Sequence, residues 1–361
     1  MLTPEQIRQI LMAPKTTDNV VRDQELLHTG STLLNLACTG RAGGGFAKGK
    51  YHFIVGDSSS GKTWISLTCM AEAMRNPEFK DYRLIYDNAE DGALMDFGRY
   101  FGTKMAERIE QPGQTADGEP ASSSTIEEFY YHLDDALEEG RPFIYVLDSM
   151  DALSSSDEAD KFAEQKDAYR KGKQTAGSYG DGKAKKNSAH MRKVMPGIRD
   201  TGSILLVINQ TRDNLGFGFE KKTRSGGHAL RFYAHLEIWL SVKNRIKKTV
   251  KGSPRELGIV SRIQVKKNRF TGRLREVEVP LYHSFGIDDV GSCVEYLLSE
   301  GRWSKKGSNI AATDFEVAYP QEKLIRYIEE QKLEKELVLI VEELWNEIEE
   351  ACSVNRRRRY E

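Results

Sequence analysis

The chain has 361 residues, 39% hydrophobic and 30% charged, with 53 Lys and Arg against 54 Asp and Glu; this make-up suits a well-packed α/β protein of roughly two domains and excludes a disorder-dominated chain. A formal net charge of −1 excludes a uniformly basic nucleic-acid coat, so basic residues can act on such a partner only where loops concentrate them. Apolar runs such as Ile144–Leu147 and Ile204–Ile208 fall far below the ~18 residues of a membrane span, and no basic or apolar leader opens the chain, so a cytoplasmic protein without a membrane partner is expected.

In chain order, Thr3-Pro4-Glu5-Gln6 supplies a capping Thr and a Pro at the first helical position, and Ile7, Ile10 and Leu11 give one apolar stripe before Pro14. A short N-terminal helix and linker over residues 1–27 are expected. From residue 28 to 283, strands near 51–55, 83–87, 143–148 and 203–209 alternate with helices near 63–75, 92–106, 125–139 and 189–200. That alternation predicts an α/β fold with a mainly parallel central sheet covered on both faces. His235–Val242, Ile259–Lys266 and Leu274–Leu281 follow closely on one another and predict an antiparallel extension. Residues 284–361 read as a small C-terminal domain. Its end is a long amphipathic helix with Leu324, Ile328, Leu337, Val341, Leu344 and Ile348 on one face, then a basic tail at Arg356–Arg359 that binds a DNA backbone or an acidic partner or stays solvated. Cys38, Cys69, Cys293 and Cys352 lack metal spacing and are expected as reduced, buried thiols.

The chemistry starts at Gly56-Asp57-Ser58-Ser59-Ser60-Gly61-Lys62-Thr63, which fits the phosphate-loop pattern G-x-x-x-x-G-K-[ST] between an apolar run and a helix beginning at Trp64. Small residues let successive backbone N–H groups curl around a phosphate, Lys62 reaches the β/γ oxygens, and the Thr63 hydroxyl ligates Mg²⁺. Phe143–Asp148 is an apolar strand ending in a carboxylate, placed to hold that Mg²⁺. A second carboxylate, on the neighbouring strand, can polarise the attacking water; Glu90 is the candidate, with Asp87 and Asp91 as competitors. Arg212–Ser225 interleaves Arg212, Lys221 and Lys222 with Leu215, Gly216, Phe217, Gly218 and Phe219, a mixture of charge, stacking surface and close backbone approach that suits single-stranded DNA. Gly177–Lys193 holds Lys183, Lys185, Lys186, Arg192 and Lys193 and reads as a second basic loop.

Ile208-Asn209-Gln210-Thr211-Arg212 and Gly226-Gly227-His228-Ala229-Leu230-Arg231-Phe232-Tyr233-Ala234 resemble the signature of the bacterial RecA recombinases. The resemblance runs in order over about 260 residues, from Thr29-Gly30-Ser31 through Asp148–Leu153 to Val265–Arg269 and Gly286-Ile287. It implies a RecA-like P-loop core and an ATP- and Mg²⁺-dependent ATPase. Such a protein forms a helical homo-oligomer on single-stranded DNA, then pairs it with homologous double-stranded DNA; loaders or single-strand-binding proteins are further partners. Residue by residue, it implies Glu90 as catalytic glutamate, Phe97 and Tyr282 against the adenine, and Gln210 as the sensor of the γ-phosphate. Lys267 and Arg269 would reach a neighbour's ATP, Arg231 and Phe232 would lie in the same interface, and Lys185, Arg192, Arg212, Leu215, Gly216, Phe219, Lys221, Lys222, Ser225, Gly226 and Gly227 would meet DNA. The divergent ends fit a phage-encoded protein in its host's cytoplasm. A hexameric helicase or DNA motor on the same core is the rival, and a non-catalytic, ATP-switched coating or annealing protein the second; the 226–234 segment speaks against the first, intact Lys62, Thr63, Asp148 and Glu90 against the other.

Overall fold

The computed structural model describes residues 21–171, 182–213, 222–224 and 227–357, with only the backbone at 159, 182, 212–213, 222–224 and 227–228. The expected N-terminal helix near residue 3 and the calls on Leu215, Gly216, Phe219, Lys221, Ser225 and Gly226 lie outside the described residues.

Ser31 caps α1 (Thr32–Thr39) by accepting the Leu34 amide, and Gly40 ends it at φ 73°. Then come β1 (Lys50–Gly56), α2 (Lys62–Arg75), β2 (Arg83–Asp87), α3 (Phe97–Phe101), α4 (Thr103–Arg108), β3 (Ile109–Glu110), α5 (Ile126–Glu138) and β4 (Phe143–Leu147). The single helix expected over 92–106 is two short ones. Asp96 caps α3 by accepting the Arg99 amide at 3.0 Å, and Gly102, at φ 92°, breaks the chain before α4. Next are α6 (Ser156–Arg170), α7 (Gly182–Thr201), β5 (Ile204–Asp213), β6 (Lys222–Arg224) and α8 (Gly227–Tyr233). The basic stretch read as a loop to Lys193 is helical from Gly182, because Asn187, Met191, Val194 and Ile198 form one buried face against the sheet.

β7 (Leu236–Val250), β8 (Ser253–Asn268), β9 (Glu276–Tyr282) and β10 (Gly286–Ile287) complete the central sheet, whose order is β10-β9-β8-β7-β1-β5-β4-β2-β3. The block from β7 through β3 is parallel, β7 to β10 are antiparallel, and β6 pairs back on β5. β1, β5 and β4 are buried on both faces, as a covered parallel sheet requires. A Cβ at Gly258 would lie 2.0 Å from the Leu281 carbonyl oxygen, so glycine is what lets β9 approach β8 there. The β7–β8 ribbon outruns its neighbours. β9 pairs only from Gly258 onward and β1 only to Leu240, leaving residues 247–257 as a two-stranded arm that carries Lys247, Lys248, Lys251 and Arg255.

α9 (Asp289–Ser299), a small antiparallel sheet of β11 (Ser304–Lys306), β12 (Asn309–Ala312) and β13 (Val317–Tyr319), α10 (Gln321–Glu330) and α11 (Glu334–Ala351) form the C-terminal part. The long terminal helix expected from Leu324 to Ile348 is interrupted: Lys332 takes φ 59° and the Leu333 amide reaches back to the Ile328 carbonyl, 2.9 Å, which turns the chain between α10 and α11. One apolar cluster runs from Leu34 and Ile65 to Trp303, Leu324, Val341 and Trp345, so this part shares its core with one face of the sheet. A second cluster, around Phe53, Phe129, Tyr145 and Ile198, fills the other face. Cys38, Cys69 and Cys293 are buried; Cys352 is exposed, against expectation, because it follows the last turn of α11. Among the described residues no helix is long and apolar enough to cross a membrane.

Candidate functional site

β1 leaves the sheet at Gly56, and the chain curls through Ser59 (φ 58°) and Gly61 (φ 99°) into α2, whose first residue is Lys62. A Cβ at Gly56 would meet the Leu240 carbonyl at 2.7 Å, and one at Gly61 the Leu281 side chain at 2.4 Å, so both glycines are required by the close approach of neighbouring strands. The loop holds itself shut through Lys62, whose Nζ donates to the carbonyls of Gly56 at 3.0 Å and Asp57 at 2.7 Å, while Ser60 Oγ also donates to the Asp57 carbonyl. Burial lowers the Lys62 pKa, and the carboxylates of Asp148, Glu90, Asp57 and Asp151 act to raise it. Four acids around one lysine make a site that takes a polyanion best together with a cation.

Asp148, just beyond β4, is that cation's natural holder. Thr63 Oγ1 donates to its Oδ2 at 2.6 Å and the Tyr86 hydroxyl at 3.0 Å, while burial raises its pKa against those two bonds. Hard oxygen donors of this kind fit Mg²⁺, and among the described residues no group of three or more His, Cys, Asp or Glu could cage a metal. The fit is therefore to an ion completed by phosphate and water.

The three acids left open at the end of β2 are far from equivalent. Asp87 is buried and accepts from the Ser123 amide (2.8 Å), the Ser123 hydroxyl (2.6 Å) and the Tyr145 hydroxyl (2.8 Å); burial raises its pKa. It has a structural role. Asp91 stands exposed in a turn at φ 49°. Glu90 alone enters the cluster: its backbone N–H bonds the Asp148 carbonyl at 3.0 Å, and its carboxylate accepts from the Ser149 hydroxyl and from Gln210 Nε2, the latter at 2.8 Å. Gln210 lies on β5 directly across from Gly56, and its amide donates to Asp151 Oδ2 at 2.5 Å.

Beside the loop a cavity is walled by Trp64, Ile259, Leu281, Tyr282 and His283. Tyr282 therefore sits where a base can follow the phosphates. Phe97 packs edge-on against Tyr86 and Phe101, with centroids 6.0 and 6.2 Å apart, while the wall itself carries Trp64, packed on Tyr100 and Phe101 at 5.2 Å each. Trp64 was missed by sequence reasoning, although an aromatic directly after Lys-Thr is a visible signal.

The remaining candidates lie elsewhere. Lys267 is opposite Glu237, itself opposite Phe53 at the middle of β1, while the Arg269 amide bonds the His235 carbonyl and the His235 amide bonds the Tyr51 carbonyl near the amino end of β1; neither cation reaches the phosphate loop of its own chain. Lys267 Nζ donates to the carbonyls of Arg231 and Phe232, and Arg269 to that of Phe232 at 2.8 Å, so both cations close the C-terminus of α8. Arg231 pairs with Glu237 at 2.9 Å, and Phe232 is exposed. On α7, Lys183, Lys186 and Lys193 are engaged by Glu158, by Glu127 and Asp157, and by Asp134, whereas Lys185 and Arg192 face solvent. Arg212 and Lys222 are on the paired backbones of β5 and β6, and Gly227 opens α8.

Comparison with known proteins accords with this geometry. Residues 11–288 match the family described as RecA N-terminal domain. Protein RecA of Cytophaga hutchinsonii is 27% identical over 300 residues, 81% of this chain and 74% of that protein; Protein RecA of Colwellia psychrerythraea is 26% identical over 322 residues, 88% and 82%. Protein RecA of Paracoccus denitrificans is 28% identical over 301 residues, 81% and 73%. With the family match extending across the phosphate loop, the Asp148 strand and the Gln210 strand, this chain belongs to the RecA family of recombination proteins.

Proposed function

We propose that the protein is a DNA-dependent ATPase that assembles as a helical filament on single-stranded DNA and uses that filament for homologous pairing and strand exchange. One observation carries the reading: Gln210 bonds Glu90 at 2.8 Å and is followed at once by the strand end bearing Arg212. The water-activating acid and the root of a DNA-contacting segment are thereby one hydrogen bond apart, which lets nucleotide state set DNA affinity.

On this reading residues 28–283 are the ATPase core and 284–361 a smaller appended domain. ATP enters the cradle of Gly56–Thr63 with its base toward Tyr282 and the aromatic group of Trp64 and Phe97. Lys62 exchanges the Gly56 and Asp57 carbonyls for phosphate oxygens. Thr63 and, through water, Asp148 would hold Mg²⁺, which would supply neutralisation of the charge on the phosphates. Glu90 takes a proton from water as the water oxygen bonds to the γ-phosphorus and the bridging bond to ADP breaks. Gln210 responds to the γ-phosphate, and Lys267 and Arg269 of an adjacent subunit complete the charge around it. Single-stranded DNA meets Arg212, Leu215, Gly216, Phe219, Lys221, Lys222 and Ser225–Gly227, with Lys185 and Arg192 on α7 adding phosphate contacts.

Electron microscopy with single-stranded DNA and a non-hydrolysable ATP analogue tests this directly. Helical filaments are the expected image; closed six-membered rings would instead identify a motor of the helicase type.

A further inference from the structure

Three acids from three different strand ends converge on the dipeptide Gln210-Thr211. Glu90, after β2, takes the Gln210 side chain; Asp151, after β4, takes the Gln210 amide; Asp57, after β1, accepts the Thr211 hydroxyl on Oδ1. The register makes the last contact a property of the sheet. Gly56 and Gln210 are paired on adjacent parallel strands, so Asp57 and Thr211 are the next residues side by side beyond that pair. Thr211 is also opposite Arg224, at the root of the β5–β6 ribbon that carries Arg212 and Lys222.

We propose that Asp57 is a positioning residue. Its bond to Thr211 latches the root of the β5–β6 ribbon while Lys62 is turned to the Gly56 and Asp57 carbonyls, and a nucleoside triphosphate that draws Lys62 away releases it. The inference rests on the function proposed above and adds a second route from phosphate to DNA, separate from the bond between the Gln210 side chain and Glu90. Its physical basis is local. Asp57 belongs to the loop that wraps the phosphates, and its carbonyl is one of the two that hold Lys62 at present. When Lys62 turns to phosphate, the Asp57 peptide loses its cation while its carboxylate gains an anionic neighbour, and both changes oppose the existing geometry. A ligand can shift this equilibrium only through such differential contacts, and this loop is where they differ.

The test measures affinity for a fluorescent oligo(dT) strand with and without a non-hydrolysable ATP analogue. Thr211→Val removes the donor at nearly constant volume and Thr211→Ser keeps it. Without nucleotide, Thr211→Val should bind oligo(dT) about tenfold more tightly than the parent, the equivalent of one hydrogen bond to a charged group. With the analogue the two should be equal, and Thr211→Ser should behave as the parent. Asp57→Ala should reproduce the nucleotide-free effect, and the double variant should gain no more than either single one. Unchanged nucleotide dependence in Thr211→Val overturns the latch, as does equal weakening in both states, the mark of a merely structural role. Absence of any nucleotide effect in the parent overturns the proposed function itself and the latch with it, and is read before any variant is made.

Discussion

Glu90 owes its place to partners rather than to any property of its own. Ser149 and Gln210 both donate to it, whereas Asp87, three residues earlier, is enclosed by Ser123 and Tyr145. Glu90→Gln preserves size and hydrogen bonding but cannot take a proton. The variant should bind nucleotide and single-stranded DNA as the parent does and lose at least about 100-fold in phosphate release, measured at saturating ATP; near-normal turnover would move the proton to another group. The competition among Asp87, Glu90 and Asp91 shows where sequence reading stops. The phosphate loop and Asp148 were legible because their residue types and spacing state their chemistry. What separates Asp87 from Glu90 is a hydroxyl 36 residues away in the chain, a contact only the fold creates.

At the scale of elements, α8 and the end of β8 form one unit. The carbonyls that end a helix carry partial negative charge, and Lys267 and Arg269 satisfy them. On the proposed reading the same cations meet, in an assembly, a competing and stronger anion in a neighbour's triphosphate. Lys267→Ala alone should therefore lose about tenfold or more in DNA-dependent ATP turnover, and mixing it with Lys62→Ala protomers should restore part of it, since each variant supplies what the other lacks. Normal turnover by Lys267→Ala on DNA would leave the lysine a helix cap only. Elements with strong periodicity, β1, α2, β2, α5 and β4, lie within a residue or so of where their apolar pattern puts them. The misreadings at α7 and at the α10–α11 break share a cause. A lysine-rich run hides a four-residue buried face, and a single left-handed residue, Lys332, cuts a continuous amphipathic pattern without Gly or Pro to announce it.

For the whole molecule, acid sensitivity follows from partly buried imidazoles. His28 accepts the Gly30 amide on Nδ1 at 2.9 Å, and partial burial pushes its pKa down to about 4; His235, half-buried, is also pushed down to about 4 by desolvation and by the charges of Lys50, Arg269 and Lys267. Their ordinary value is 6.5, so on acidification the unfolded chain takes up these protons first. The stability they contribute is complete above about pH 6.5 and lost as pH falls toward about 4. Asp289 runs the other way, because burial raises its pKa to about 6 and the folded chain protonates it first, offsetting part of the loss below that pH. The thermal midpoint should fall by at least about 5 °C between pH 7 and pH 5, and His28→Gln should flatten that slope; a midpoint independent of pH would refute the assignment.

Arg269 lies level with the amino end of β1 and Lys267 with its middle, whereas the phosphate loop lies beyond its carboxyl end, so the molecule has two unlike poles. A contact that brings one pole to the other is heterologous, so on the proposed reading a row of n copies contains n − 1 completed sites and one that lacks its cations. On that reading hydrolysis differs between the interior and one tip of the row, and loss of the copy at that tip leaves the next copy's site without its cations. A direction along such a row is in this sense already present in a single folded chain.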